Sequence, residues 1–424
     1  MLVRFEVSNF RSIAAPVELS MVAVDRDREQ ARDLPQLGES LLTLAAVYGP
    51  NASGKSNIVS ALAWLRDAVH DSLRMWEDSV PLDPFAFGSG PSSPSGFVFE
   101  AAIDGVRFEY VLELTQEKID YEGLFHYPEK KRRRIFERDD LELKLQRGLG
   151  ALSGVRELLT EQTLALSVAR RFNEPLVSRF ATELLTMQTF GLESQRGRSR
   201  YPRTLPRPGR ATMRWFEEAA EQPSLLAESD VDGDKERALA MLRLADLGIE
   251  DVLIDDERAA FPSLSENPSV RRLRLVHRAG GSTAPLDYHA ESQGTRTWFD
   301  LIGPVLTALR QGSIVVFDEL DASLHPTLSA ELLRIFGSAV LNPRGAQLIF
   351  TTHDTSLLSH LNRDEVWLTE KHRDGSTRLG ALAEFAGERV RRSQNLEKAY
   401  LHGRFGALPE VDDTEFLQAL GLIG

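Results

Sequence analysis

Residues Gly49 to Ser56 read Gly-Pro-Asn-Ala-Ser-Gly-Lys-Ser, and this string limits what the rest of the chain can be. G-x-x-x-x-G-K-S is a phosphate-binding loop. Its glycines let the backbone curl until successive N–H groups face the β- and γ-phosphates, its lysine adds a point charge, and its serine hydroxyl ligates Mg²⁺. Gly49, Asn51, Gly54, Lys55, Ser56 and Asn57 are the candidate nucleotide contacts, with Ser56 also a metal ligand. The flanks suit the motif. Leu41 to Val47 is an apolar run fit for a buried strand, and Ile58, Leu62, Leu65 and Val69 then recur at helical spacing. A helix starting at the loop aims its positive end at a triphosphate.

The 424 residues, 42% of them hydrophobic, suffice for two or three domains with a real core. With 63 acidic and 50 basic residues the formal charge is −13. That balance argues against a surface that coats nucleic acid throughout, while leaving room for a local basic groove. The absence of cysteine excludes disulfides and thiolate metal sites and suits a reducing compartment. The N-terminus Met-Leu-Val-Arg-Phe-Glu-Val lacks the charged and apolar regions of a signal peptide, and no run of about 18 apolar residues occurs. A cytoplasmic protein without membrane partners is expected.

Along the chain, residues 2 to 7 alternate like a strand and lead into the polar turn Ser8-Asn9-Phe10-Arg11-Ser12, where Arg11 either reaches a phosphate or is a solvated turn residue. A Pro-, Gly- and Ser-rich loop, Pro81 to Gly96, follows the first helix. Phe97 to Ile103 and Arg107 to Leu114 then read as a hairpin through Asp104-Gly105, with a third strand from Ile119 to Tyr127. Lys130 to Arg134 is a basic run, either a solvated turn or a phosphate-contact patch. Val155 to Gln188 and Met213 to Leu247 carry helical patterning. Between them lies a linker with Arg196, Arg198, Arg200, Arg203, Arg207 and Arg210, suited to nucleic-acid backbone or an acidic partner, or simply a surface loop. From Val270 short apolar strands alternate with helices, as in a parallel sheet.

A second constellation follows in that last part. Ser313-Ile-Val-Val-Phe-Asp318-Glu319 is an apolar strand ending in two carboxylates. Asp318 is placed to hold Mg²⁺ and Glu319 to polarise an attacking water. Adjacent acids at a buried strand end are costly without a compensating cation. The turn Leu320-Asp321 comes next, and Pro326 opens a helix. The strand Leu348-Ile349-Phe350 ends in Thr351-Thr352-His353, and His353 is placed to bond a γ-phosphate oxygen. Ser292-Gln-Gly294-Thr295, just before the amphipathic segment Trp298 to Leu309, offers N–H and hydroxyl donors at a helix start, a second anion site.

In combination these motifs resemble the ABC-class ATPases of the SMC, RecF and OLD type, over roughly residues 1 to 130 and 270 to 424. The C-terminal stretch Asn395 to Gly406 is similar to the ending of the AAA-type ATPases of abortive-infection, AbiL-like, antiphage systems. The resemblance implies an α/β fold: an ABC-type ATPase head, a parallel sheet flanked by helices plus an antiparallel β-subdomain, with an α-helical insertion. Residues 1–150 would form the first lobe, 151–269 the insertion and 270–424 the second lobe. It also implies ATP and Mg²⁺ as cofactors, with Arg11 and Asp321 near the nucleotide and Ser292 and Gly294 capping the γ-phosphate held by a second copy. Such a homodimer, alone or in a larger assembly, would be an ATPase switch of antiphage defence acting on an effector, nuclease or toxin, supplied in trans. The alternative is a RecF- or SMC-like repair ATPase that binds duplex DNA. The signature departs from the Leu-Ser-Gly-Gly-Gln of transporters, and a Q-loop glutamine has no evident place.

No second catalytic centre is legible. Asp230-Val-Asp232-Gly-Asp234 alternates like a cation loop, but Lys235 stands where a calcium loop needs glycine. Arg272 and His277 have a ribonuclease-like spacing, yet strand alternation puts them on opposite faces. Residues 354–424 are too few for a complete Toprim nuclease domain.

Overall fold

The computed structural model describes residues 1–26, 28–192, 208–221, 231–258 and 269–385. The chain opens with β1 (Leu2–Ser8), β2 (Val17–Ser20), the hairpin β3 (Ala31–Leu34) and β4 (Glu39–Leu42), and β5 (Leu44–Tyr48), followed by α1 (Lys55–Met75). Then come β6 (Ser95–Ile103), β7 (Val106–Leu114), β8 (Ile119–His126), β9 (Arg133–Asp139) and β10 (Glu142–Leu145), and after them α2 (Ala165–Ala169), α3 (Pro175–Leu185) and β11 (Gln188–Phe190). Next are α4 (Pro208–Glu221), α5 (Val231–Ala245), β12 (Ile249–Arg258), β13 (Ser269–Ala279), β14 (Ser282–Asp287) and α6 (Gln293–Gln311). The described part ends with β15 (Ile314–Phe317), α7 (Leu320–Ser323), α8 (Pro326–Gly337), β16 (Gln347–Thr351), β17 (Val366–Lys371), β18 (Thr377–Ala381) and α9 (Leu382–Phe385).

Two compact units result. The first gathers Met1–Leu192, Gly312–Leu320 and the described residues from Leu333 onward; the second takes the described residues of Glu193–Gln311 together with Asp321–Leu332. The first unit is built on two sheets. An antiparallel sheet runs β10-β9-β8-β7-β6-β1-β2, and a six-stranded sheet runs β11-β15-β16-β5-β17-β18. All neighbours in the latter are parallel except β17 and β18. β5, β15 and β16 are buried at every position, as strands covered on both faces are. This is the expected α/β class, a parallel sheet with helices and an antiparallel β-subdomain.

Periodicity decides the packing of α1. Ile58, Leu62, Leu65 and Val69 lie on one face and are buried in the main core. Trp64 stacks on Phe97 of β6 at 4.6 Å between ring centres, Phe97 meets Phe10 edge-on at 5.8 Å, and the Trp64 indole N–H donates to the Pro81 carbonyl at 2.7 Å. The N-terminal turn, α1 and the antiparallel sheet thus share one aromatic joint, and each aromatic pair adds about 1 kcal/mol beyond its buried area.

The second unit packs α4, α5 and α6 with the antiparallel sheet β12-β13-β14. Gly303 and Pro304 sit inside α6. A Cβ on Gly303 would collide with the backbone of Thr212 in α4. Thr212 Oγ1 accepts the Gly303 N–H at 2.9 Å and donates to the Phe299 carbonyl at 2.6 Å, tying α4 to two backbone groups of α6. Arg310 lies 3.9 Å from the Trp215 ring centre and pairs with Asp234.

Two readings of local structure need correction. The helical patterning of Val155 to Gln188 covers a 3₁₀ turn, two short helices and the start of β11, because tertiary pairing with β15 decides Gln188–Phe190. β13 and β14 are antiparallel, since a glycine turn at Gly280-Gly281 folds one directly onto the other. The described part of the acidic stretch opens α5, where Asp234 is engaged by Arg237 and Arg310, and among the described residues no group of His, Asp and Glu could hold a metal ion by itself. Arg272 pairs with Asp287 and His277 with Glu291. Within the basic run, Arg132, Arg133 and Arg134 pair with Glu109, Glu129 and Glu137. No described helix is long and apolar enough to cross a membrane.

Glu365, at the entry to β17, is buried with Arg28 and Asp364; Arg28 lies 2.7 Å from Asp364 and 3.3 Å from Glu365. Burial pushes the Glu365 carboxyl up to about 7, against the opposing pull of Arg28 and the Asn362 N–H donors. Folding therefore takes up a proton: the contribution to stability is whole below the ordinary carboxyl range and is lost as pH rises through about 7. In urea unfolding the wild type should lose stability relative to Glu365→Gln between about pH 5 and about pH 8. A difference that stays constant over that range would show an ordinary carboxyl.

Candidate functional site

The phosphate loop joins β5 to α1, and two of its glycines are dictated by close approach. A Cβ on Gly49 would strike the Thr369 hydroxyl and backbone. Gly54 has φ +100, and its Cβ would strike the Thr377 hydroxyl and reach Ser12 Oγ at 2.8 Å. Both positions need a residue with no side chain, and Gly54 also needs tolerance of left-handed backbone. Ala52 takes φ 61 between them. α1 then runs for 21 residues with no acid in its first turn, so its unsatisfied N–H groups face the loop unopposed. Lys55 is buried, its Nζ donating to the carbonyls of Gly49 at 3.0 Å and Pro50 at 3.1 Å.

Behind the loop stands a lattice of hydroxyls. Thr369 Oγ1 lies 2.6 Å from Ser53 Oγ and donates to the Tyr48 carbonyl at 3.2 Å. Thr377 Oγ1 donates to the Ser53 carbonyl at 2.9 Å and lies 2.7 Å from Ser12 Oγ. Asn57 Nδ2 donates to Ser12 Oγ at 2.6 Å, and Arg11 Nη1 donates to Asn57 Oδ1 at 3.4 Å. Arg11 is half-buried at φ 51, with Asp83 at 3.7 Å. Asn51 is exposed in the loop and Ser56 half-buried in the first turn of α1.

Strand register brings the other candidates to the same sheet edge. Phe317 of β15 lies beside Phe350 of β16, and Phe350 beside Ala46 of β5. Asp318, His353 and the phosphate loop therefore leave adjacent strand ends, the edge where parallel sheets bind ligands. Asp318 is buried; Thr351 Oγ1 donates to its Oδ1 at 2.6 Å and accepts the Glu319 N–H at 2.7 Å. Gly191, at φ 71, presses against the Asp318 carbonyl so closely that a Cβ would collide. Glu319 is exposed at φ 54, a left-handed backbone that costs about 1–2 kcal/mol in a residue with a side chain. His353 is exposed one residue beyond the buried Thr352, and the Tyr48 hydroxyl donates to the next carbonyl, that of Asp354, at 3.1 Å.

Ser292, Gly294 and Asp321 belong to the second unit. Ser292 caps α6: its Oγ accepts the Thr295 N–H at 3.1 Å and lies 2.9 Å from Thr295 Oγ1. Glu291, pinned by His277 Nε2 at 2.7 Å, fixes the approach to the cap. Gly294 is exposed, and a Cβ there would find only Ser292 Oγ, at 3.8 Å, among the described residues. Asp321 is half-buried in α7. Arg196, Arg198, Arg200, Arg203 and Arg207 of the basic linker and the stretch Asn395 to Gly406 lie outside the described residues.

The donor set fits a magnesium ion. Mg²⁺ takes one or two protein oxygens beside phosphate and water, and Ser56 with Asp318 supplies a hydroxyl and a carboxylate whose Oδ1 is already held by Thr351. Sequence reasoning missed the supporting residues Thr351, Thr369 and Thr377. Their one signal is a hydroxyl at the end of, or inside, an apolar strand, which many strands share.

A model of the family described as "AAA domain, putative AbiEii toxin, Type IV TA system" matches residues 44–359. No curated protein matches the chain. Among solved structures, the SMC head domain from Thermotoga maritima is similar at 14% identity and a TM-score of 0.39, covering 90% of this chain and 98% of that one. The Smc head domain with an extended coiled coil bound to the C-terminal domain of ScpA, derived from Pyrococcus furiosus, is similar at 12% identity and a TM-score of 0.40, covering 90% and 97%.

Gly54→Ala should lower unfolding stability in urea by at least about 1–2 kcal/mol, the strain of a side chain in left-handed backbone. Gly294→Ala, in open helical surroundings, should leave stability unchanged or raise it by up to about 1 kcal/mol. Equal effects would contradict the different roles of the two glycines.

Proposed function

The chain belongs to the AAA-domain family whose model spans its residues 44–359, and from that premise we propose that it is an ATP-binding and ATP-hydrolysing dimeric switch of an antiphage defence system, regulating a separately encoded effector. The observation that carries the reading is the convergence of the phosphate loop, Asp318, Glu319 and His353 at the ends of adjacent parallel strands. The family's description names a toxin of a toxin–antitoxin system, which supports a role in cell defence with a nuclease or toxin as partner.

In this reading the N–H groups of residues 49–56 and the start of α1 cradle the phosphates, and Lys55 exchanges its loop carbonyls for phosphate oxygens. Ser56 and Asp318 would hold Mg²⁺, which when bound neutralises charge on those oxygens. Glu319 is the general base. It is exposed, and Thr351 fixes its backbone N–H; strain held at such a position is the kind that functional sites retain. His353 donates to the γ-phosphate, and Arg11, Asn51, Asn57 and Asp321 contact the nucleotide. Ser292 and Gly294 serve a second copy. A glycine in the first turn of a helix, with none of the described residues crowding it, leaves room for phosphate to approach the backbone. Residues 1–150 and 270–424 act as the two lobes of the engine, and the segment 151–269 carries the motion to the effector. A nucleotide shared by two chains gives the closed and open states different affinities for ATP, as a ligand-driven switch requires.

Phage plating on cells carrying this chain, its native neighbouring gene, and both together tests the reading. Protection should need both genes and should vanish with Lys55→Ala; absence of protection across a broad phage panel, with ATPase activity stimulated by duplex DNA, would favour a repair ATPase instead. In vitro, Glu319→Gln should bind ATP, turn over at least about 100-fold more slowly and accumulate a dimer by light scattering. Adding Ser292→Arg should abolish that dimer while sparing ATP binding, and a dimer that persists would contradict capping in trans.

A further inference from the structure

Among the described residues, Phe87 is the one aromatic side chain among the large exposed hydrophobics, 63% accessible. Its surroundings tie it to the phosphate loop. The Phe87 ring meets Phe85 edge-on at 5.5 Å between centres, and a ring carbon lies 3.4 Å from where Gly375, at φ +83, would carry a Cβ. Both flanking loops are bound to the N-terminal turn. The Arg11 N–H donates to the Asp83 carbonyl at 2.7 Å, the Phe85 N–H to Asn9 Oδ1 at 3.1 Å, and the Thr377 N–H to the Ser12 carbonyl at 2.7 Å. Ser12 and Thr377 are in turn the residues against which Gly54 packs. Gly375 is two residues before Thr377, so no more than about 7 Å of backbone separates the ring's neighbour from the wall of the phosphate loop.

We propose that Phe87 is the shelf on which the purine base of the bound nucleotide stacks. The inference rests on the nucleotide site proposed above and adds what that site lacks, an apolar face for the base. Lys55, Ser56 and the loop N–H groups address phosphate alone and are blind to what the phosphates are attached to. A flat apolar ring held at the margin of that loop supplies the missing contact. Its partner is a π-face rather than a hydrogen-bonding edge, so the shelf recognises a base without choosing strongly among purines. Gly375 keeps the ring's neighbour small, and Asp83 and Arg11 link the shelf to Asn57 in α1 through one chain of contacts.

Binding of ATP, of GTP and of inorganic tripolyphosphate to wild type, Phe87→Ala, Phe87→Tyr and Lys55→Ala, measured by calorimetry, tests this. Phe87→Ala should weaken ATP and GTP about tenfold and leave tripolyphosphate unchanged, while Phe87→Tyr restores nucleotide affinity. ATP affinity unchanged in Phe87→Ala, with binding lost in Lys55→Ala, would overturn the shelf and leave the phosphate site standing. Equal weakening of ATP and tripolyphosphate would likewise overturn it, since the ring would then only support the loop. A wild type that binds none of the three would overturn both readings.

Discussion

The hydroxyl of Thr377 is the contact on which the phosphate loop depends. It donates to the Ser53 carbonyl, meets Ser12, and occupies the space that a side chain on Gly54 would need. Thr369 does the same for Gly49. A phosphate cradle works because its N–H groups are aimed before the ligand arrives, and a glycine-rich loop cannot hold that aim alone: glycine has more conformational freedom to lose than any other residue. Here the freedom is removed from outside, by two threonines of a strand pair and a serine of the N-terminal turn. Each hydrogen bond contributes only about 1 kcal/mol, but together they leave the loop a single shape.

The carboxylate edge is organised on the same plan. Thr351 spans two consecutive residues, donating to the Asp318 side chain and accepting the Glu319 N–H. One hydroxyl thus sets the direction of one acid and the backbone of the next. Neighbouring residues with different tasks need different orientations, and the left-handed turn at Glu319 supplies the divergence. Gly191 closes the arrangement from the far side, against the Asp318 carbonyl.

Much of this was legible in the sequence because the chemistry is local. The phosphate loop, the apolar strand ending in Asp318 and Glu319, and the Thr351 to His353 strand end are contiguous strings whose spacing carries their meaning. The β6–β7 hairpin was equally readable, since Asp104-Gly105 specifies its turn within the chain itself. Elements that depend on distant partners were not. β11 is three residues long and is a strand because β15 lies beside it, and no pattern in Gln188 to Phe190 distinguishes it from the end of a helix. Thr369 and Thr377 are read as ordinary strand threonines until the phosphate loop is seen against them. β13 and β14 misled by their place in the chain: strands between helices suggest a parallel sheet, whereas a two-glycine turn makes a hairpin.

The contact between Ser12 and Thr377 joins positions 365 apart in the chain. Closing so long a loop costs more entropy than any local turn, although the cost grows only with the logarithm of length. It also has a direction in time. During synthesis the phosphate loop leaves the ribosome early with its motif intact, and its backing arrives only with β18, some 320 residues later. At about 5–20 residues per second the interval is roughly a quarter of a minute to a minute, during which the nascent chain carries a complete motif around an unformed cradle. The order of translation thus sets when this loop acquires its shape.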